Sequence, residues 1–380
     1  MNKNFIVKTF IISAVLFSSC KIDAGIPLKE ALKNDFLIGV AMNSEQITGR
    51  AVNDNKIICE QFNSVVPENC MKSEVIHPEQ NRYNFTLSDK FVDFGNKHNM
   101  AVMGHALIWH SQLSRWFCFD KKGNKVSRDT LINRMREHIY TIMRRYKGRV
   151  RGWDVVNEAF EDDGSYRNTL FYQIIGKDYI PLAFKFAHEA DPDAELYYND
   201  YSMFKPEKCD SVVKMVKELK AMGLRIDAVG MQGHYSLDDP SVDDVEKSIV
   251  KLAASGVKVN ITEFDLSALP LTFGNAGANV GFRASYDKKL NPYRNGKLPA
   301  EVEAHWSKCM FDYFKLFLKY HKNIERVNMW GLSDGQSWKN NWPIFGRTDF
   351  PLLYDRNNKP KKVVDEIIKE ANKINKGMNK

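Results

Sequence analysis

Two glutamates sit where apolar strands should end. Glu158 closes "GWDVVNE" and Glu263 lies in "KVNITEF", each after a β-branched, apolar run. A carboxylate in such a place costs free energy unless it is paired or used in chemistry. Two carboxylates beside aromatic rings point to cleavage of a glycosidic bond. One protonates the departing oxygen, and the other supports the positive charge that develops on the sugar carbon. A structural ion pair is the competing reading. Other groups able to hydrogen-bond or stack collect at the same kind of position. They are Glu68, Asn69 and Lys72 in "PENCMK", His105 and Trp109 in "GHALIWH", and Asn157 beside Glu158. Gln232 and His234 end "AVGMQGH", Asp265 follows Glu263 by two, and Trp330 and Trp338 bracket "WGLSDGQSW".

Metal and cofactor chemistry find little support. His105 and His110 are five apart, so on a strand they point to opposite faces and share no ligand set. His234 reads as a hydrogen-bond partner that holds Glu263. His77, His138 and His305 read as plain surface or helix residues. The chain has no Gly-rich phosphate loop and no serine nucleophile elbow. No cofactor and no metal are expected.

Such residues need elements that carry them to one place. Continuous apolar runs predict strands at 36–42, 64–69, 101–109, 152–158, 195–200, 228–234, 258–264 and 326–333. Amphipathic stretches alternate with them. In "RDTLINRMREHIYTIMRRY", Leu131, Ile132, Met135, Ile139 and Met143 fall at helical spacing. "LSDKFVDFGNKHNM" carries a Ser/Asp cap signal, and "VVKMVKELKAMG" and "VEKSIVKLAASG" both stop on glycine. Eight strand–helix units predict an α/β fold, a single (β/α)8 barrel, whose catalytic groups sit at the C-terminal strand ends. The 265–300 segment, rich in Gly, Asn and Pro, is expected to be an enlarged loop after strand 7. Alternation puts His105, Leu107 and Trp109 on one strand face, Gln232 and His234 on another, and Ile261, Glu263 and Asp265 on a third. Asn157 and Glu158 are neighbours, so both reach a cleft only if the strand ends or bulges there.

The bulk numbers set bounds. The chain has 380 residues, 43% hydrophobic, with a net charge of +8 spread over scattered lysines. The densest run, "MRRYKGRVRG", reads as a solvated helix end, and no nucleic-acid partner is expected. Lys3 and Lys8 precede an apolar stretch from Thr9 to Phe17, as in a secretory signal too short to span a bilayer. Cys20 after "LFSS" resembles a bacterial lipoprotein cleavage site. The expected organisation is a signal peptide over 1–19, a tether over 20–27 and a catalytic domain over 28–376. The product is an exported monomer, held at a membrane only through lipid on Cys20. Five widely spaced cysteines remain, which argues against a disulfide framework or a zinc site.

Taken together, "PENCMK", "GHALIWHSQLSRWF", "WDVVNEAF", "YYNDY", "VGMQGHY", "ITEFDL" and "WGLSDGQSW" resemble the family 10 glycoside hydrolases, the endo-β-1,4-xylanases. The resemblance covers roughly 28 to 372, with the motifs in family order. It implies that Glu158 is the general acid/base, Glu263 the nucleophile and Asn157 the amide that binds the sugar 2-hydroxyl. It makes His234 and Asp265 the groups that keep the nucleophile oriented and ionised. Glu68, Asn69, Lys72, His105, Trp109 and Gln232 would line the glycone subsites. Trp330 and Trp338 would form their floor and roof and crowd out the extra CH2OH group of glucose. The implied reaction is retaining, with carboxyl groups ~5–5.5 Å apart, and the implied partners are xylan and xylo-oligosaccharides. Ser73 and Met103 depart from the family, which more often has tryptophan and arginine there. A β-1,4-glucanase on the same fold, or an inactive surface glycan-binding lipoprotein, are the rival readings.

Overall fold

The computed structural model describes residues 25–270, 281–285, 287–294 and 296–378. The expected signal segment with Cys20, and positions 271–280 of the long loop, lie outside the described residues. Nine strands form one parallel sheet: β1 (Leu37–Met42), β2 (Ser64–Pro67), β3 (Ala101–Gly104), β4 (Gly152–Asn157), β5 (Glu195–Asp200), β6 (Ala228–Met231), β7 (His234–Ser236), β8 (Lys258–Ser267) and β9 (Ile324–Met329). Their order is β6-β5-β4-β3-β2-β1-β9-β8, and β6 pairs back onto β8 to close the ring. β7 adds only to the C-terminal end of β8, with His234 opposite Asp265. The ring is therefore an eight-stranded barrel with helices between its strands, as the alternation predicted.

Period-two alternation divides the strand residues between two cores. Val40, Val65, Val102 and Leu196 face the helices in the large outer core. Their neighbours Ala41, Val66, Met103 and Tyr197 point into the barrel, where they pack with Ala228 and Trp330. Each fully buried Val or Leu contributes about 1.5–3 kcal/mol, so every strand is held from both faces. The barrel interior also buries charge. Arg326 donates to the Met103 sulfur at 2.6 Å and lies 3.8 Å from Asp154, whose other oxygen is 2.9 Å from His105 Nδ1. At the Met103 departure from the family, a guanidinium is thus supplied from β9.

Several helix boundaries follow local chemistry. Ser127, Thr169 and Ser241 cap the helices Arg128–Arg145, Leu170–Ile175 and Val242–Ala254. Gly223 and Gly256, both at positive φ, follow the helices that were expected to stop on them. The cap signal in "LSDK" is not used. That helix already starts at Thr86, so Ser88 is buried in its first turn and Asp89 is freed to pair with Arg145 at 2.5 Å.

Several expected strand ends move. Regular strand in the 101–109 run stops at Gly104, although Leu107 and Ile108 still donate to Asp154 O and Val155 O of β4, and strand in the 64–69 run stops at Pro67. The 228–234 run breaks at Gln232 and Gly233, the latter at φ 82°. The last strand starts at Ile324 and ends at Met329, and β8 runs on to Ser267, so the long loop begins after Asp265 rather than at it. His305 is exposed on a helix and His138 also lies on one, but neither His77 nor His138 is a plain surface residue. They are buried with their Nδ1 atoms 2.9 Å apart, and His77 stacks on Tyr83 at a centroid distance of 3.7 Å. Burial lowers their pKa values to about 4 and about 3. Nothing in the sequence marks this contact, because the two rings come from elements 61 positions apart.

Candidate active site

The strand ends open into a cleft of about 680 Å³. Glu158 and Glu263 both line it, as do Glu68, Asn69, Lys72, His105, Trp109, Asn157, Gln232, His234, Trp330 and Trp338. Of the residues picked from sequence, only Asp265 stands back from it, fully buried behind His234.

Glu158 reaches the cleft by a backbone change. β4 stops at Asn157, after a register shift between Asp154 and Val156 against β5, and Glu158 has φ 59°. The left-handed region costs a residue with a Cβ about 1–2 kcal/mol, and here it turns two consecutive side chains toward one space. That is the strand end inferred from the Asn157–Glu158 pair. Three neutral N–H groups hold the Glu158 carboxylate. Trp109 Nε1 donates to one oxygen at 2.8 Å, and Gln232 Nε2 and Asn157 Nδ2 donate to the other at 2.9 and 3.2 Å.

Glu263 has different company. Asn199 Nδ2 donates to one oxygen at 2.9 Å, and His234 Nε2 lies 3.1 Å from the other. His234 Nδ1 is 3.0 Å from Asp265. With a carboxylate at each ring nitrogen, the doubly protonated imidazolium is the form that satisfies both. Burial works against that charge, but Asp265 and Glu263 outweigh it and raise the His234 pKa to about 9. Burial likewise opposes ionisation of Glu263, yet its pKa is lowered by the His234 hydrogen bond and by the charges of His105, His234 and Lys72. Asp265 is also lowered against its burial, by His234 and by Lys339, whose ammonium is 2.6 Å away. Trp338 Nε1 donates to the same Asp265 carboxylate at 2.9 Å, so the anion behind the nucleophile also places a wall of the cleft.

The two glutamates are joined by amides. Asn199 Nδ2 donates both to Glu263 and to Asn157 Oδ1 at 2.9 Å, and Asn157 in turn donates to Glu158. Gly230 makes room for this bridge. A Cβ there would lie 2.4 Å from Asn199 Oδ1, so β6 must leave the position bare. Beside Trp109, Lys72 donates to Asn69 and Gln112 at 3.0 and 2.9 Å and lies 5.0 Å from the Trp109 ring centre. Burial lowers its pKa, against the pull of Glu263, Glu68 and Glu158. Burial raises that of Glu68, against Lys72.

The profile of Glycosyl hydrolase family 10 matches residues 27–370. The chain belongs to glycosyl hydrolase family 10. It is 51% identical over 345 residues to endo-1,4-beta-xylanase A of Xylanibacter ruminicola, covering 90% of this chain and 92% of that one. It is 38% identical to endo-1,4-beta-xylanase A of Caldicellulosiruptor saccharolyticus, over 90% of this chain and 95% of the relative. A solved family 10 endoxylanase retrieved from a sugarcane soil metagenome superposes with a TM-score of 0.87 at 43% identity, over 90% of this chain and 99% of that one.

Within this family 10 barrel, two sets of residues do not share a strand face as expected. His105, Leu107 and Trp109 do not share a strand face, because β3 has already ended at Gly104. His105 and Trp109 still line the cleft, carried by the segment beyond the strand, while Leu107 is buried in the outer core. Gln232 and His234 reach their two glutamates from either side of a break at Gly233 rather than along one strand. Several functional neighbours were not read from the sequence. Asn199 lies within "YYNDY" at the end of the 195–200 run, and Lys339 has no signal beyond following Trp338. Gln112, Tyr201 and Trp342 also line the cleft. The Trp342 ring lies 4.7 Å from that of Trp338, and its place four residues after Trp338 in "SWKNNW" could have exposed it.

Proposed function

We propose that this chain is an endo-β-1,4-xylanase that cleaves xylan with retention of anomeric configuration, with Glu158 as acid/base and Glu263 as nucleophile. The observation that carries the assignment is the contrast between the two carboxylates. Glu263 is paired with the His234 cation and is held ionised, as a nucleophile must be. Glu158 lines the same cleft with its carboxyl group held by three neutral donors, Trp109, Gln232 and Asn157, in place of a cation, and the Asn157–Asn199 amide bridge connects it to Glu263.

In this reading Glu158 gives its proton to the glycosidic oxygen while Glu263 attacks the anomeric carbon from the opposite face. The C–O bond to the leaving sugar breaks and an ester to Glu263 forms. Glu158, now a carboxylate, takes a proton from water as that water attacks the same carbon and releases Glu263. Two inversions give net retention. The test is release of new reducing ends from xylan, with xylo- and cello-oligosaccharides compared. If Trp330 and Trp338 crowd the place of the glucose CH2OH, the xylo-series is favoured by at least roughly 10-fold in kcat/KM. Equal rates would point to a glucanase, and no release from either would point to a binding protein.

The His234 pairing gives a pH prediction. His234→Asn removes the cation that keeps Glu263 ionised, and leaves burial to raise the pKa. The acid limb of the kcat/KM profile should therefore move to higher pH. An acid limb in the same place would mean that His234 does not set the nucleophile's charge.

We further propose export and lipid attachment at Cys20, which the charged start, the apolar run and "LFSS" support. Among the described residues no helix is long and apolar enough to cross a membrane. Radiolabelled palmitate should enter the wild type and not Cys20→Ser when each is expressed in a bacterial host. An unlabelled wild type, or an equally labelled variant, would remove this proposal.

A further inference from the structure

Glu158 is held in its left-handed backbone by one side chain that the mechanism has not used. Arg167 grips three consecutive carbonyls. Its Nε donates to Glu158 O at 3.0 Å, its backbone N–H to Ala159 O at 2.8 Å, and its Nη2 to Phe160 O at 2.9 Å. The second hydrogen on Nη2 goes to the Tyr201 hydroxyl at 2.7 Å, and Tyr201 lines the cleft. Nη1 is 2.8 Å from Glu161. The residue is buried, and so are all three carbonyl-bearing residues. From the other side, Glu158 N–H donates to Asn199 O and Ala159 N–H to the Tyr198 hydroxyl, both at 2.9 Å.

We propose that Arg167 is a positioning residue for proton transfer through Glu158. The inference rests on the reading of Glu158 as the acid/base. Buried carbonyls left without donors would turn toward other partners, and the residue at φ 59° would turn with them. The planar guanidinium satisfies the 158 and 160 carbonyls and the Tyr201 phenol together, which a lysine ammonium cannot do with the same fixed geometry. Proton transfer needs the carboxyl within ~2.6–3.2 Å of the leaving oxygen. A displacement of about 1 Å can cost roughly 10²-fold. Glu263, on β8, has no hydrogen bond to Arg167 and keeps its attacking position.

The test is dependence on the leaving group. For a natural xylo-oligosaccharide the departing alkoxide needs a proton. For 2,4-dinitrophenyl β-xylobioside the phenolate leaves without one. Arg167→Met should lower kcat/KM on xylotetraose by roughly 10- to 100-fold and on the aryl substrate by less than about 3-fold. Arg167→Lys keeps a cation and is the second variant should the first not fold; it should show the same discrimination at smaller size. Equal losses on both substrates, in whichever variant is folded by circular dichroism, would make Arg167 a general support and overturn the proposal. Glu158→Ala is run in parallel. If it discriminates between substrates and the Arg167 variants do not, only this inference fails. If Glu158→Ala itself does not discriminate, the acid assignment falls, and this inference falls with it.

Discussion

Glu263→Ala should lower kcat by roughly 10⁴-fold or more, on xylan and on activated aryl xylobiosides alike. The reason is that no other side chain can form the covalent intermediate, so a better leaving group does not help. The cavity left behind keeps the cations that now face Glu263. His234 stands 3.1 Å from its carboxylate, and the Lys72 and His105 charges also act on it. A small anion should therefore enter in its place. Azide should partly restore cleavage of the aryl substrate, and the product should be the α-azide, because azide attacks from the face that Glu263 occupied. A β-azide, or full activity without azide, would show that Glu263 is not the nucleophile.

Glu158→Ala should behave oppositely toward the leaving group. On xylan the loss should be about 10²–10⁴-fold, the usual worth of a positioned general acid/base. On a dinitrophenyl xylobioside the first step needs no proton, so kcat/KM should change little. The second step then lacks its base, so the ester to Glu263 accumulates, and kcat and KM fall together. Azide needs no base, and it meets the ester from the side opposite Glu263. It should raise kcat and give the β-azide. The two variants thus assign the two faces of one sugar carbon by the configuration of one product each. Trp109, Gln232 and Asn157, which hold Glu158 in the wild type, remain to keep the cleft's shape in this variant.

The barrel was legible because its strands are buried on both faces. Runs such as "FLIGVAM" and "KVNITEF" are continuous and apolar for that reason, and polar residues at their ends stand out against them. Two helices were harder to read. Val52–Gln61 buries only Asp54 and Ile58, so its apolar face has almost no periodicity. Tyr179–Ala190 buries seven of its residues, has only the narrow polar face of Lys185, His188 and Glu189, and carries Pro181 in its first turn, a residue that usually argues against a helix. The break after Gly104 was hidden because apolar Ala106, Leu107, Ile108 and Trp109 continue past it, whereas Gln232 and Gly233 do interrupt the apolar run and could have marked the second break.

Residue type and spacing were enough to place Glu158, Glu263 and most of their cleft partners at strand ends, since period and burial are written locally along the chain. They did not say which charge meets which. Gln232 and Glu158 are 74 positions apart, Asn199 and Glu263 are 64 apart, and Arg167 reaches Glu158 from a connecting segment with no pattern of its own. Those contacts exist only once β6 pairs with β8 and the ring closes. Closure brings the strand ends within hydrogen-bond reach, and there the His234 cation keeps Glu263 ionised against its burial.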